Sequence, residues 1–424
     1  MMSRLKMTKE LKMILMIGCC GALAIFSSTI SKSPILPIFA KSLGATGAQI
    51  GLITSASTIP GILISYLAGD LADRFGYKKI LIASLLIFAT APFLYLLVQD
   101  PLGLGMTRFY HGFATAAFGP VAMATIAAFS KKNTGQNLSL YSSATLIGRA
   151  LAPTVGGTAY QFRGASTVYL IAGGAGVLAL VTAIWFFSRS VKHEGIVENH
   201  QVLKSAEPSL PAPVTLPVQE RVSFFTKLWG LLTYKPLLFV GILDACVYFS
   251  YGAFEMVFPL YAKGHSMSTS QIGLLLGVQL VGTILFKPVF GRASDKLGRL
   301  PMAITGLIAC AAALFLLALI HTITAIISLM LLFGLGFALI TASTSALAAD
   351  VARIGQLGAS LGILSTLMDV GQTFGPPTIG AISDRTSYNV GISVLGVIFT
   401  VAAIGCIIAM VKQQKGSAAN RYSI

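Results

Sequence analysis

The sequence predicts an all-α membrane protein, with twelve transmembrane helices in two pseudo-symmetric six-helix halves. Three observations predict it. Of the 424 residues, 55% are hydrophobic and only 10% are charged, whereas a soluble domain carries about 25% charged residues. Apolar runs of about 20 residues, the length needed to cross a bilayer, recur along nearly the whole chain. Finally, the chain repeats itself.

The repeat is clearest around Gly69-Asp70-Leu71-Ala72-Asp73-Arg74-Phe75-Gly76-Tyr77-Lys78-Lys79. Gly291-Arg292-Ala293-Ser294-Asp295-Lys296-Leu297-Gly298-Arg299 follows it 222 positions later, again between two hydrophobic segments. The match extends upstream without a gap. Pro37 meets Pro259, Ala40-Lys41 meets Ala262-Lys263, and Gln49-Ile50-Gly51-Leu52 meets Gln271-Ile272-Gly273-Leu274. A parallel duplication in a membrane chain points to a transporter whose halves rock about a central site.

Twelve spans are expected, at about 13–40, 48–70, 79–98, 101–128, 138–160, 166–188, 236–262, 269–291, 300–321, 323–348, 357–381 and 388–412. They group as a first half (1–188), a linker (189–235) and a second half (236–424). The linker holds Pro208, Pro211, Pro213 and Pro217 among small and charged residues. Such a stretch is extended and gives slack to two moving halves. Its end, Arg221 to Trp229, mixes basic and aromatic residues and reads as an interfacial helix or as an irregular lead-in to the seventh span. The first 30 residues resemble a signal peptide, but they pair with the seventh span in the repeat and are expected to be a retained helix.

The formal charge of +16 is a topology signal before it is a nucleic-acid signal. Of 30 Lys and Arg, 22 lie in the termini and in alternate loops on one side; Lys41, Arg163, Lys263 and Arg385 lie on the other. Short basic loops stay in the cytoplasm, which places both termini there, in a multi-pass protein of the cell membrane. No nucleic-acid partner is expected. All five cysteines lie inside spans, which supports neither a disulfide framework nor a metal cluster.

The segment Gly69, Asp73, Arg74, Gly76, Lys78, Lys79 resembles the signature between the second and third helices of the major facilitator superfamily. The second copy keeps Gly291, Asp295, Lys296 and Gly298, with Arg299 one position early. The two glycines allow close helix approach and a tight turn, and Asp73 is an anion suited to face a helix N-terminus or a basic side chain. The resemblance implies that Asp73 meets the start of the eleventh helix when the inner gate is shut, and that Asp295 does the same against the fifth. In the fourth span, Arg108-Phe109-Tyr110-His111-Gly112 is similar to the family pattern Arg-x-x-Gln-Gly, with His111 in place of Gln. The family arginine is linked to proton transfer through a nearby carboxylate; His111 could titrate near neutral pH or simply pack. The fifth span carries Gly148, Ala152, Pro153, Gly156 and Gly157, which resembles the motif of drug:proton antiporters, with Ala152 for one glycine and Arg149 as an added charge. Physically, small residues and proline give a kinked, closely packed helix between the halves.

Charges inside spans are functional candidates by default. The carboxylates are Asp244, Glu255 and Asp369; the cations are Lys32, Arg108, Arg149 and Lys287, the last near a span end where it can snorkel. Lys32 and Glu255 fall at matching depths of the repeat, since Ser33 aligns with Glu255. They are expected to form an ion pair, either transient or permanent, with Pro34 and Pro37 bending the helix beyond it. The expected function is secondary active transport by alternating access, in the form of proton-coupled export of a small organic or drug-like compound. Glu255 leads Asp369, Asp244, Arg108 and His111 as coupling residues, while Lys32, Arg149 and Glu255 line the cavity. Uptake or exchange of an anionic metabolite is the alternative, and a channel or transport-like receptor a weaker one. No nucleotide-binding loop, metal-spaced His cluster or nucleophile–base pair points to an enzyme or a cofactor. Expected partners are the bilayer, a small-molecule substrate and protons, with Na⁺ left open, and the expected state is a monomer.

Overall fold

The computed structural model describes residues 9–62, 74–130, 133–191, 234–320, 322–351 and 357–421. Nearly all of them are helical. Linker residues 192–233, with the Arg221–Trp229 segment among them, and the start of the gating motif (Gly69 to Asp73) lie outside the described residues.

The first span is two helices, α1 (Lys9–Ile30) and α2 (Ile35–Ser42), separated by turns at residues 31–34. Pro34 cannot donate a backbone hydrogen bond, so the helix breaks there, and Lys32 sits in the break. Helix α3 (Gly47–Ser55) opens the second span behind a capping box made by Thr46 and Gln49. Its repeat partner, α8 (Thr269–Leu297), opens behind the same device made by Ser268 and Gln271. In each, the hydroxyl takes the backbone N–H three residues on and the glutamine side chain reaches back. The third span, α4 (Tyr77–Leu94), starts after Gly76 at φ 91°, and α9 (Arg299–Leu317) starts after Gly298 at φ 95°. A side chain resists that left-handed conformation, so the two signature glycines fix the turns.

Helix α5 (Pro101–Phe129) is the fourth span, with Asp100 accepting from the Gly103 N–H at 2.9 Å. The fifth and sixth spans form α6 (Thr134–Val191), broken at Gly164, where φ is 75°. Helices α7 (Lys235–Gly264), α10 (Ile323–Val351), α11 (Leu357–Arg385) and α12 (Tyr388–Arg421) complete the bundle. Among the described residues, nine helical stretches are long and apolar enough to cross a membrane; one of them, Thr134–Ser188, has 55 residues and holds two spans.

Of the helices that outrun their expected ends, two change the reading of the motifs. Helix α8 continues to Leu297, so Gly291, Asp295 and Lys296 lie on helix rather than in a loop. Nothing between Pro288 and Gly298 stops it. Helix α11 runs four residues past 381, to Arg385, which places Asp384 on its last turn.

The bundle has two unlike ends. One, the basic end, carries the joints with Arg74, Lys78, Lys79, Lys296 and Arg299. The other, the seam end, carries the joints at 43–46, 98–100, 265–268 and 386–387. The buried core shows how the halves meet. Ile14, Leu81, Phe88, Phe118, Ile126 and Tyr141 belong to a core made of first-half residues alone, toward the basic end. Toward the seam end, Ile35, Leu36, Ile50 and Ala152 share one core with Val257, Phe258, Ile272 and Ile379 of the second half. Among the described residues the halves are therefore fused at the seam end and have separate cores toward the basic end.

Candidate functional site

Two seams join the halves, and they are copies of each other. In the first, Gly51 packs against the Pro376 carbonyl and Pro377, and Gly47 lies against Gly380. In the second, Gly273 packs against the Pro153 carbonyl, and Gly157 lies against Thr269 and Gly273. Gly51 and Gly273 are repeat partners. Pro153 and Gly157 correspond to Pro376 and Gly380, one position off the 222-residue register (376 − 153 = 223). Small residues here bring helix backbones into direct contact, the main source of attraction between helices in lipid. Pro153 and Gly157 of the fifth-span motif thus face the other half. Gly148 packs on Ala22 and Gly156 on Ile30, both in the first span, and Ala152 is fully buried.

Each seam ends in a cap supplied by the opposite half. The Asp384 carboxylate accepts from the Gly47 N–H at 2.6 Å and the Ala48 N–H at 2.9 Å. The Gln161 amide oxygen accepts from the Thr269 N–H at 3.0 Å. Asp384 and Gln161 correspond in the 223 register, and each satisfies orphan N–H groups where a helix begins. A carboxylate at a helix N-terminus also gains from the helix dipole. Neither residue is conspicuous in the sequence, because each stands at a span end beside ordinary loop residues; the register of the repeat is the signal that could have found them. Asp384→Ala is expected to cost about 1 kcal/mol and to lower the thermal unfolding midpoint by roughly 1 °C. An unchanged midpoint would show that this cap holds nothing.

Just inside the seams, Lys32 Nζ and the Glu255 carboxylate form an ion pair at 2.7 Å. The side chains are 19% and 14% exposed. The pair links the break in the first span to α7, and so ties the two halves. Farther along α7, Tyr251 stacks on Phe337 with ring centroids 4.2 Å apart, and Tyr248 meets the same ring edge-on at 5.6 Å. The Arg149 guanidinium of the fifth span interacts electrostatically with both tyrosines, and Asp244 and Asp369 with Tyr248. Asp244 is 2% exposed, with Lys287 and Thr344 as its polar neighbours. Thr58 and Thr373 hydrogen-bond across the halves at 2.6 Å, one turn from Asp369. Three acids of the second half and Arg149 of the first thus lie within electrostatic reach of these tyrosines, where a ligand with both apolar and charged parts would find partners.

Arg108 and His111 lie elsewhere, inside the first half. Arg108 donates to Ser57 Oγ at 2.8 Å, and His111 Nδ1 is 3.4 Å from the Tyr95 hydroxyl. The resemblance called for a carboxylate beside this arginine, yet among the described residues none pairs with it.

The gating motif is partly visible. Gly69 and Asp73 are outside the described residues. Gly76 makes the turn into α4, Arg74 and Lys79 flank it, and Lys78 lies 5.6 Å from the centre of the Phe187 ring. In the second copy, Asp295 pairs with Arg299 one turn on, and Arg299 also bonds Asp350 of α10 at 3.0 Å. The ion-pair partner of Asp295 here lies inside its own half; its contact with the start of the fifth helix is expected only with the inner gate shut. Arg299, displaced one position from the family pattern, stands one helical turn from Asp295 and captures it. Gly291 is open, and Lys296 lies on the last turn of α8.

Two repeat-related seams, a cross-half ion pair and a polar, aromatic-lined interior define a secondary transporter of the multi-pass membrane class. The chain belongs to the Major Facilitator Superfamily, whose sequence profile matches residues 17–268 and 240–421. It is 25% identical over 355 residues to multidrug resistance protein 2 of Bacillus subtilis, covering 83% of this chain and 84% of that protein. It is 24% identical over 373 residues to the quinolone resistance protein NorA of Staphylococcus aureus, covering 86% and 90%. An uncharacterised MFS-type transporter of Methanocaldococcus jannaschii is 24% identical over 353 residues, covering 83% and 86%. In fold, the nucleoside transporter NupG superposes with a TM-score of 0.75 at 14% identity, over 93% of this chain and 99% of that one. A bacterial homologue of the lysosomal transporter Spinster, solved inward-facing and unoccupied, gives 0.74 at 14% identity, over 95% and 98%.

Proposed function

We propose that this protein exports a small organic or drug-like compound across the cell membrane in exchange for protons, with Glu255 as the principal protonation site. The observation that carries the reading is the Lys32–Glu255 pair. Its two charges sit on the symmetry-related first and seventh spans, behind the seams. Protonating Glu255 removes the charge that holds Lys32, and so ties proton occupancy to the opening of this end. The basic end lies in the cytoplasm by the distribution of Lys and Arg, with both termini on that side. The halves have separate cores toward that end, so the described arrangement corresponds to access from inside. Asp369 and Asp244 act behind Glu255, and Arg149 with Tyr248, Tyr251 and Phe337 receives the compound. The drug-resistance names of two relatives support the direction of transport.

Exchange of an anionic metabolite is the second reading. It is favoured by Lys32, Arg108 and Arg149, three in-span cations that all come from a half without an in-span acid.

The test is substrate-induced pH change in proteoliposomes, with cationic dyes and organic anions screened in parallel. The expected result is that a cationic compound drives proton movement and Glu255→Gln abolishes it. A response confined to anions, or normal coupling in the variant, removes the antiport assignment.

A further inference from the structure

Arg108 carries a buried positive charge with which no acid pairs among the described residues. Residues 1–188 contain four carboxylates, Glu10, Asp70, Asp73 and Asp100, each at or beyond the end of a span. Asp100 is engaged at the start of α5, two turns before Arg108, where it accepts from Gly103. In the second half, Glu255 pairs with Lys32, Asp244 has Lys287 and Thr344 as neighbours, and Asp369 lies by Tyr248, its Oδ2 3.9 Å from where a Cβ on Gly61 would stand. Arg108 is 2% exposed, and a guanidinium does not give up its proton. An isolated charge in such a place costs far more than a neutral polar group. Something else must compensate it.

The neighbours of Arg108 point to what that is. Tyr95, His111 and Tyr169 are each 1% exposed, and all three lie within electrostatic reach of the guanidinium. Tyr95 stacks on Tyr169 with ring centroids 4.6 Å apart, and its hydroxyl lies 3.4 Å from His111 Nδ1. When that nitrogen accepts, the proton of a neutral imidazole is on Nε2. Three buried polar atoms here have no partner among the described residues: Arg108 Nε, His111 Nε2 and the Tyr169 hydroxyl. Each of the three can donate, and among the described residues no acid pairs with any of them. Unmet donors beside an unmatched cation are the chemistry of an anion site.

We infer that Arg108, His111, Tyr95 and Tyr169 hold a small monovalent anion of chloride or carboxylate chemistry, which supplies the missing counter-charge of the first half. The site is separate from the Lys32–Glu255 pair. The anion comes either from solution, as a halide, or from the transported compound, as its acid group.

The test is thermal unfolding of the purified full-length protein in detergent at constant ionic strength. Sodium methanesulfonate, whose anion is too large for an enclosed cluster, is replaced stepwise by sodium chloride or by sodium acetate. A saturable rise in the midpoint of roughly 2–4 °C is expected well above half-saturation. Saturation by chloride identifies a solution anion; a rise with acetate alone identifies a carboxylate. Arg108→Gln, which keeps a donor for Ser57, is expected to lose the dependence. Tyr169→Phe keeps the charge and the ring stacking, and is expected to raise the half-saturating concentration about fivefold. Equal midpoints in all three salts overturn the site, as does an undiminished rise in Arg108→Gln. Should that variant not fold, an unchanged half-saturation in Tyr169→Phe overturns it.

Discussion

Valine at position 273 is expected to hold the seam end open and to reduce transport by roughly two orders of magnitude. A Cβ on Gly273 would overlap the Pro153 carbonyl oxygen and lie 3.0 Å from the Gly157 Cα. Both are backbone atoms in packed helices, so no side chain can rotate away to make room. The helices must separate instead. Overpacking of this kind costs about 3 kcal/mol, and that figure corresponds to roughly a 100-fold loss of the closed population. A transporter that alternates between two closures cannot turn over without one of them. Gly174→Val is the matched control, because nothing lies within 4 Å of its added Cβ. The measurement is the distance between spin labels at exposed Lys41 and Lys263, placed after the five native cysteines are replaced. A longer distance in Gly273→Val, with an unaltered one in Gly174→Val, is the expected outcome. Equal distances in both would mean the seam does not control this end.

The second large effect concerns the charge pair behind the seam. Lys32→Ala leaves the Glu255 carboxylate half-enclosed without its partner, and Glu255→Ala leaves the ammonium. Each single change is expected to destabilise more than the double change, with a coupling energy of about 1–3 kcal/mol. That is less than the ~3–5 kcal/mol of a fully enclosed pair, because both side chains retain some solvent. A double-mutant cycle on thermal unfolding measures the coupling directly. Additive effects would reduce the 2.7 Å contact to a pair without energetic weight. A strong coupling, joined to the loss of proton movement in Glu255→Gln, would make this pair the element that reads proton occupancy.

Much of this was legible in the residues alone because membranes impose simple rules. Spans must be long, apolar and helical, so hydropathy located them; charge in hydrocarbon is costly, so Lys32 and Glu255 stood out singly. The duplication placed those two at the same depth before any coordinate was known. The repeat also matched Thr46 with Ser268 and Gly76 with Gly298, whose capping and turn roles depend only on near neighbours in the chain.

Other features depend on which helix lies beside which, and the linear sequence does not carry that. Asp384 and Gln161 read as loop residues until the opposite half brings a helix N-terminus to each. Asp295 has several partners within reach by motif, and the one-position shift of Arg299 decides among them only when the helix continues to Leu297. Arg108 fits a family pattern that supposes a neighbouring carboxylate, whereas packing surrounds it with Ser57, Tyr95, His111 and Tyr169. The sequence by itself determined the membrane class, the two halves and the list of costly charges, because those follow from local composition and periodicity. Only the tertiary structure decided which charges are paired, which end of the bundle is closed and which cation has no acid beside it among the described residues, because each of those is a relation between residues tens to hundreds of positions apart.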